Sequence, residues 1–145
     1  MSNQVVWVDI PVGNLDRAIA FYSAVLGSTV TREGGPGFVF GLLPHSGTDV
    51  GGCLYSPGED NSPSRVGPLV YLNAEGRLAE AVRAVTANAG QILQPVHQIG
   101  PHGFRAIVLD SEGNRVALHA PVTNPSVEES AQGPGQRSAP NVNRK

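Results

Sequence analysis

The chain has 145 residues, 40 % of them apolar, and a formal net charge of −2, which suits one domain with an ordinary core. Balanced charge without a basic run argues against nucleic acid and anionic membrane surfaces as partners. No apolar stretch approaches the ~20 residues of a membrane span, and Met1-Ser2-Asn3-Gln4 lacks signal-peptide features, so a cytoplasmic location is expected.

Val5 to Ile10 is dense in β-formers and is predicted as a strand stopped by Pro11. Asn14 is a candidate N-cap with Asp16 in the first turn, and Leu15, Ala18, Ile19, Tyr22 and Leu26 recur at helical spacing up to Gly27. A helix is therefore expected from Leu15 to Val25. Strands follow at Thr29 to Arg32, Phe38 to Leu42 and Val50 to Tyr55, separated by the turns Gly34-Gly35-Pro36-Gly37 and Pro44 to Thr48. Ser56 to Val66 is a linker. The order then repeats: a strand from Leu69 to Asn73, a helix from Arg77 to Ala89 ended by Gly90, a strand starting at Gln91 to Leu93, and strands at Phe104 to Leu109 and Arg115 to His119 around the turn Asp110 to Asn114. From Val122 to Lys145 the chain is polar, with isolated apolar residues, and is expected to be a flexible tail.

Leu15, Ala18, Ile19 and Gly27 match Leu78, Ala81, Val82 and Gly90 at a constant offset of 63, a sign of internal duplication. The expected fold is α+β: two tandem β-α-β-β-β modules, about 4–55 and 67–121, forming a curved mixed sheet with outer helices. The concave side of such a sheet suits a ligand.

The run Asp9 to Tyr22, continued through Val25-Leu26-Gly27, resembles the opening of the vicinal-oxygen-chelate superfamily (glyoxalase I, bleomycin-binding proteins, fosfomycin-resistance enzymes and extradiol dioxygenases). Leu109 to His119 resembles that superfamily's final hairpin. The resemblance implies the fold, homodimers with cavities completed across subunits, and a divalent metal held by His and Glu side chains from four strands. In this chain those four slots fall at Trp7, at Gly51, Gly52 or Cys53, at Leu69 and at Ala117. Trp7, Leu69 and Ala117 cannot ligate a metal, and the lone thiol of Cys53 makes no site by itself. No resident metal or other cofactor is therefore expected; the alternative is a displaced site, for which His97, His102 and His119 are conceivable ligands.

Strand alternation places Trp7 and Asp9 on the face opposite Val6, Val8 and Ile10, and Tyr71 and Asn73 on the matching face of the second module. Trp7 is an aromatic wall for a planar ligand or a filler of the space left by the metal. Asp9 is a ligand acceptor, a base, or a structural partner of Arg105 or Arg115. Tyr71 and Asn73 offer hydrogen bonds to a ligand or are ordinary strand positions. Of the four histidines, His45 sits in a turn, His97 and His102 flank a loop expected to rim the cavity, and His119 falls on the face of the closing slot, as a working histidine or a satisfied strand-end one. Cys53 excludes an internal disulfide and is a small buried side chain or a ligand contact. Gly51-Gly52 allows a close backbone approach. Two readings remain: a metal-independent small-molecule binder whose cavity is lined by Trp7, Asp9, Cys53, Tyr55, Tyr71, Asn73, His102 and His119, or a lyase, isomerase or dioxygenase using a displaced metal or metal-free acid/base catalysis by His119 and Asp9.

Overall fold

The structure is a computed structural model that describes residues 3–57 and 61–121; the tail expected from Val122 onward lies outside the described residues. The first half comprises β1 (Trp7–Pro11), α1 (Leu15–Leu26), β2 (Thr31–Gly35), β3 (Phe38–Leu42) and β4 (Gly51–Tyr55). The second comprises β5 (Val70–Asn73), α2 (Leu78–Ala87), β6 (Gln91–Gln98), a 3-10 turn at Gly100–His102, β7 (Phe104–Leu109) and β8 (Arg115–Ala120). Each half forms a four-stranded mixed sheet, ordered β1-β4-β3-β2 and β5-β8-β7-β6. In both, the first strand runs parallel to the last and the other neighbours are antiparallel. The duplication read from the helices thus extends to topology. Among the described residues no ladder joins the sheets, so the strands form two separate four-stranded sheets.

Alternation in β1 buries Ile10, and Val12 just beyond it, on the helix side while Trp7 and Asp9 stay exposed on the other. β1 ends at Pro11, as expected, with Pro11 as its last residue; an edge strand tolerates a missing N–H. The same reasoning explains β6, which continues past the expected Leu93 through Pro95 to Gln98, with register shifts on either side of Gln94. His97 is therefore a strand residue. β2 also runs on through Gly34 and Gly35, leaving a tighter turn at Pro36-Gly37.

In α1 the Asn14 side chain accepts from the Arg17 N–H at 3.0 Å, and Gly27 ends the helix in the left-handed region at φ 68°. Its buried stripe is Leu15, Ala18, Phe21, Tyr22 and Val25; Phe21 and Val25 take the fully buried places expected for Ile19 and Leu26, which are partly buried, because α1 packs against both its own sheet and α2. Leu78, Ala81 and Val85 of α2 join the same core, which spans both halves without a break.

Both ends of α1 are capped by the other half. At the N-terminus Glu112 accepts from the Gly13 and Asn14 N–H groups at 2.9 Å each and pairs with Arg17 at 2.7 Å. At the C-terminus the Arg77 guanidinium donates to the Val25 carbonyl and lies against Gly27, where a Cβ would stand 2.6 Å from it. A carboxylate at the positive end of the helix and a cation at the negative end both favour the helix dipole. Beside them the buried Tyr22 hydroxyl donates to Asp110 at 2.5 Å, and Asn114 Nδ2 donates to the Pro11 carbonyl at 2.8 Å. Burial, followed by the Asp110 charge, pushes the Tyr22 phenol well above its usual range, so it stays protonated. The β7–β8 turn is thus the clasp that fixes one half against the other. No helix among the described residues is long and apolar enough to cross a membrane.

Candidate functional site

The residues expected to line a single cavity fall into two groups, one on the helix-free face of each sheet. In the first group the Trp7 indole N–H donates to Asp9 Oδ1 at 2.8 Å, and Cys53 Sγ lies 3.3 Å from the same oxygen. Asp9 pairs with Cys53 across the parallel β1–β4 ladder, as Trp7 pairs with Gly51. Asp9 therefore has local partners and does not bond Arg105 or Arg115. The Trp7 ring lies over Gly51: a Cβ there would stand 2.8 Å from Cζ3. At Gly52 a Cβ would stand 2.7 Å from the Val8 carbonyl oxygen. Glycine is required at both positions, one to admit a ring and the other to admit a backbone. His45 meets the Trp7 ring edge-on, with centroids 6.3 Å apart. The indole is held on three sides and remains 44 % exposed. Tyr55 sits two residues farther along β4, its hydroxyl accepting from Asn61 Nδ2 at 2.7 Å.

Burial pushes the Cys53 thiol up to about 11; the Asp9 hydrogen bond and charge act in the same direction and outweigh the opposing Trp7 contact. At neutral pH Cys53 is a thiol, a poor nucleophile and a poor metal ligand.

The second group is centred on Tyr71. Its hydroxyl accepts from Arg105 Nη1, and its ring meets His119 edge-on at 5.9 Å. Arg105 Nε donates to His97 Nε2 at 3.0 Å. His119 Nε2 lies 2.7 Å from the His102 carbonyl; a carbonyl only accepts, so this nitrogen carries the proton. Asn73 turns its side chain to the Glu75 N–H at 2.9 Å. Among the described residues no hydrogen bond links the first group to the second, so Asp9 and His119 do not contact each other through a hydrogen bond within one chain.

Two clefts follow the seam between the halves. One, about 350 Å³, contains Trp7, Asp9, Pro11, Asn61, Ser62 and Arg115. The other, about 390 Å³, contains Tyr71 and Asn73 together with Val8, Ile10, Leu43 and Leu72. Each cleft is lined by residues of both edge strands, β1 and β5. Arg115 Nε is buried without a hydrogen-bond partner beside the first cleft.

The four slots implied by the resemblance do not fit a metal. Trp7 covers Gly51, Cys53 is protonated, and Ala117 is fully buried and, like Leu69, has no donor atom. Among the described residues no three His, Cys, Asp or Glu side chains converge as a metal site, which includes His97, His102 and His119. Sequence reasoning missed Arg105 as the centre of the second group. The available signal was strand alternation, since Arg105 has the parity of Ile107 and lies directly across from His119.

The glyoxalase/bleomycin resistance protein/dioxygenase superfamily profile matches residues 4–118. The chain belongs to this superfamily. Among solved structures it is similar to a glyoxalase/bleomycin resistance protein from Albidiferax ferrireducens T118, with TM-score 0.64 and 19 % identity over 81 % of this chain and 99 % of that one. It is also similar to a glyoxalase-related enzyme from Fulvimarina pelagi, with TM-score 0.62 and 18 % identity over 85 % and 89 % of the two chains. A third is the fosfomycin resistance protein FosX from Listeria monocytogenes, with TM-score 0.60 and 14 % identity over 83 % and 94 %. At these identities the likeness is one of fold. No curated protein sequence matches the chain.

Proposed function

We propose that this superfamily member binds a small, planar organic molecule on the Trp7 platform without a metal in the family slots. The carrying observation is the Trp7 ring itself, seated on Gly51, tied to Asp9 and still 44 % exposed beside a cleft. A large aromatic surface held in place at low entropic cost favours stacking. Asp9 adds an acceptor for a ligand N–H or O–H.

The same reading includes a homodimer in the cytoplasm. Trp7, Phe38, Val39 and Tyr71 leave apolar surface uncovered on the open sides of the sheets. A second copy that laid its second sheet opposite the first sheet of its partner would enclose that surface and close the cavity. Light scattering after gel filtration tests this directly: a monomer at micromolar concentration removes the dimer from the proposal.

The binding test uses Trp7 as reporter, since it is the single tryptophan. Titration with planar aromatic compounds should quench and shift its emission, and Trp7→Leu should abolish binding measured calorimetrically. Unchanged emission on ligands that calorimetry shows to bind would place the site elsewhere. Elemental analysis with nickel, zinc, iron and manganese add-back completes the test; stoichiometric, tightly held metal would overturn the metal-free reading.

A further inference from the structure

We propose that the open face of the second sheet carries a site for a small oxyanion, with Arg105 as its charge and Tyr71 as its second donor. A carboxylate attached to the organic ligand is the best match. The inference rests on the small-molecule reading above and narrows it by naming a ligand class.

Four pairing positions line up across the whole sheet: Asn73 on β5, His119 on β8, Arg105 on β7 and His97 on β6. Their side chains share the helix-free face, with Tyr71 in the next row beside the small Ala117. Arg105 is the only fixed charge in this row. Ion pairs among the described residues are Arg17 with Glu112 and Arg32 with Asp16, and none involves Arg105. Its present partners are neutral: His97, the Tyr71 hydroxyl and the Tyr71 ring, whose centroid is 5.9 Å away. A part-buried guanidinium whose remaining N–H groups are open, with no carboxylate against it, is available to an opposite charge, the partner that it binds most strongly.

The proton inventory points the same way. His97 Nδ1 lies 2.8 Å from the Pro95 carbonyl, so it carries the proton and leaves Nε2 bare to accept from Arg105. Of the five guanidinium N–H bonds, one goes to His97 and one to Tyr71; the remaining three have no acceptor among the described residues. Since the Tyr71 oxygen accepts from Arg105, its own O–H proton is free to donate. The His102 carbonyl holds His119 Nε2–H, fixing that ring against Tyr71. The cluster therefore presents mainly donors and positive charge, with His119 Nδ1 left as a bare acceptor, and the Arg105 charge makes it better matched to an oxyanion than to a cation or a neutral amide.

The test is titration of the full-length protein, followed by two-dimensional 1H–15N NMR, with sodium benzoate, benzamide and inorganic phosphate. Benzoate should shift resonances of Tyr71, Arg105 and His119 saturably, and benzamide should leave them unmoved. Arg105→Gln should weaken benzoate binding at least tenfold and Tyr71→Phe about threefold, since charge-assisted hydrogen bonds are the stronger kind. Arg105→Lys keeps the charge and should fall between wild type and Arg105→Gln, which keeps the test valid if the glutamine variant folds poorly. Phosphate moving the same resonances as strongly would mean that a free tetrahedral anion is accepted; benzoate alone would mean a ligand carboxylate. Equal responses to benzoate and benzamide, or benzoate affinity unchanged in both Arg105 variants, would overturn the oxyanion site. Quenching of Trp7 by benzamide with no discrimination at Arg105 would overturn this inference and leave the aromatic platform standing. Arg105-dependent benzoate binding with a silent Trp7 would do the reverse.

Discussion

Glu112 is the residue whose removal should loosen the two halves most selectively. It satisfies two N–H groups at the start of α1, forms a two-pronged pair with Arg17 and accepts from Ser111 at 2.7 Å. Burial by itself would raise its carboxyl; the Arg17, Ser111 and Asn14 hydrogen bonds and the Arg17 charge outweigh that and bring it from 4.5 to about 2. A carboxyl held that low stabilises the folded state once pH exceeds its unfolded value near 4.5, and the contribution disappears as pH falls toward 2. Full linkage would amount to about 3 kcal/mol. Arg17 is 50 % exposed, so water screens its share, and about 1–2 kcal/mol is the expected net effect. That is a sizeable part of a typical 5–15 kcal/mol total. Glu112→Gln keeps the shape and one acceptor for the Gly13 and Asn14 N–H groups while removing the charge. Urea denaturation followed by circular dichroism at pH 7 should show the variant about 1–2 kcal/mol less stable, and by about pH 3 the gap should fall below half of that. A gap that stays constant between pH 7 and pH 3 would refute the reasoning, because it would mean that the effect is steric.

Other substitutions probe the remaining elements. Tyr22→Phe leaves buried Asp110 without its hydroxyl donor and should cost about 1–3 kcal/mol in the same denaturation assay; a loss under 0.5 kcal/mol would mean that the Asn114 and Glu112 donors satisfy the carboxylate by themselves. Gly51→Ala should push the Trp7 ring off its seat, shifting Trp emission and destabilising by about 1–3 kcal/mol; an unchanged emission spectrum would contradict the tight contact. Cys53 should resist iodoacetamide at pH 8 in the folded protein and react at the ordinary rate in urea, with folded reactivity rising toward pH 11. Equal rates in both states would remove the raised thiol.

The sequence made the repeat legible because the helices keep their spacing: Leu15 with Leu78 and Gly27 with Gly90 need no tertiary information. Strand ends were less legible where a single residue reads two ways. Pro95 signals a break along the chain but is harmless on the outer strand of a sheet, so His97 read as loop and sits in β6. Gly51 read correctly as a place of close approach, yet nothing local says that the approaching group is the Trp7 ring. Partners separated by long stretches of sequence were invisible: Glu112 with Gly13, Arg77 with Val25, and Arg105 with Tyr71. Each joins residues 34 or more positions apart, which hydrophobic periodicity cannot report.

The two halves have filled equivalent positions in opposite ways. The paired core residues Ile10 with Leu54 and Leu72 with Leu118 set the correspondence, so that Asp9 with Cys53 in one half matches Tyr71 with Ala117 in the other. In the first half an acceptor carboxylate stands beside an indole and a protonated thiol. In the second a donor phenol stands beside two histidines and a guanidinium that has no carboxylate partner among the described residues. A duplicated metal cradle would favour the same donor atoms in both halves, since one ion imposes one ligand chemistry. The divergence into one acceptor-rich aromatic face and one cationic face is instead what an asymmetric organic ligand would favour, with a flat ring at one end and an anionic group at the other. Putting metal-ligating side chains back into the slots provides the sharpest discrimination between these origins. If Trp7→His, Leu69→His and Ala117→Glu together restore stoichiometric nickel or zinc binding without loss of fold, the cradle is intact and only its donors were replaced; if no metal binds to this three-ligand variant while melting is unchanged, the backbone itself has departed from the metal-binding geometry.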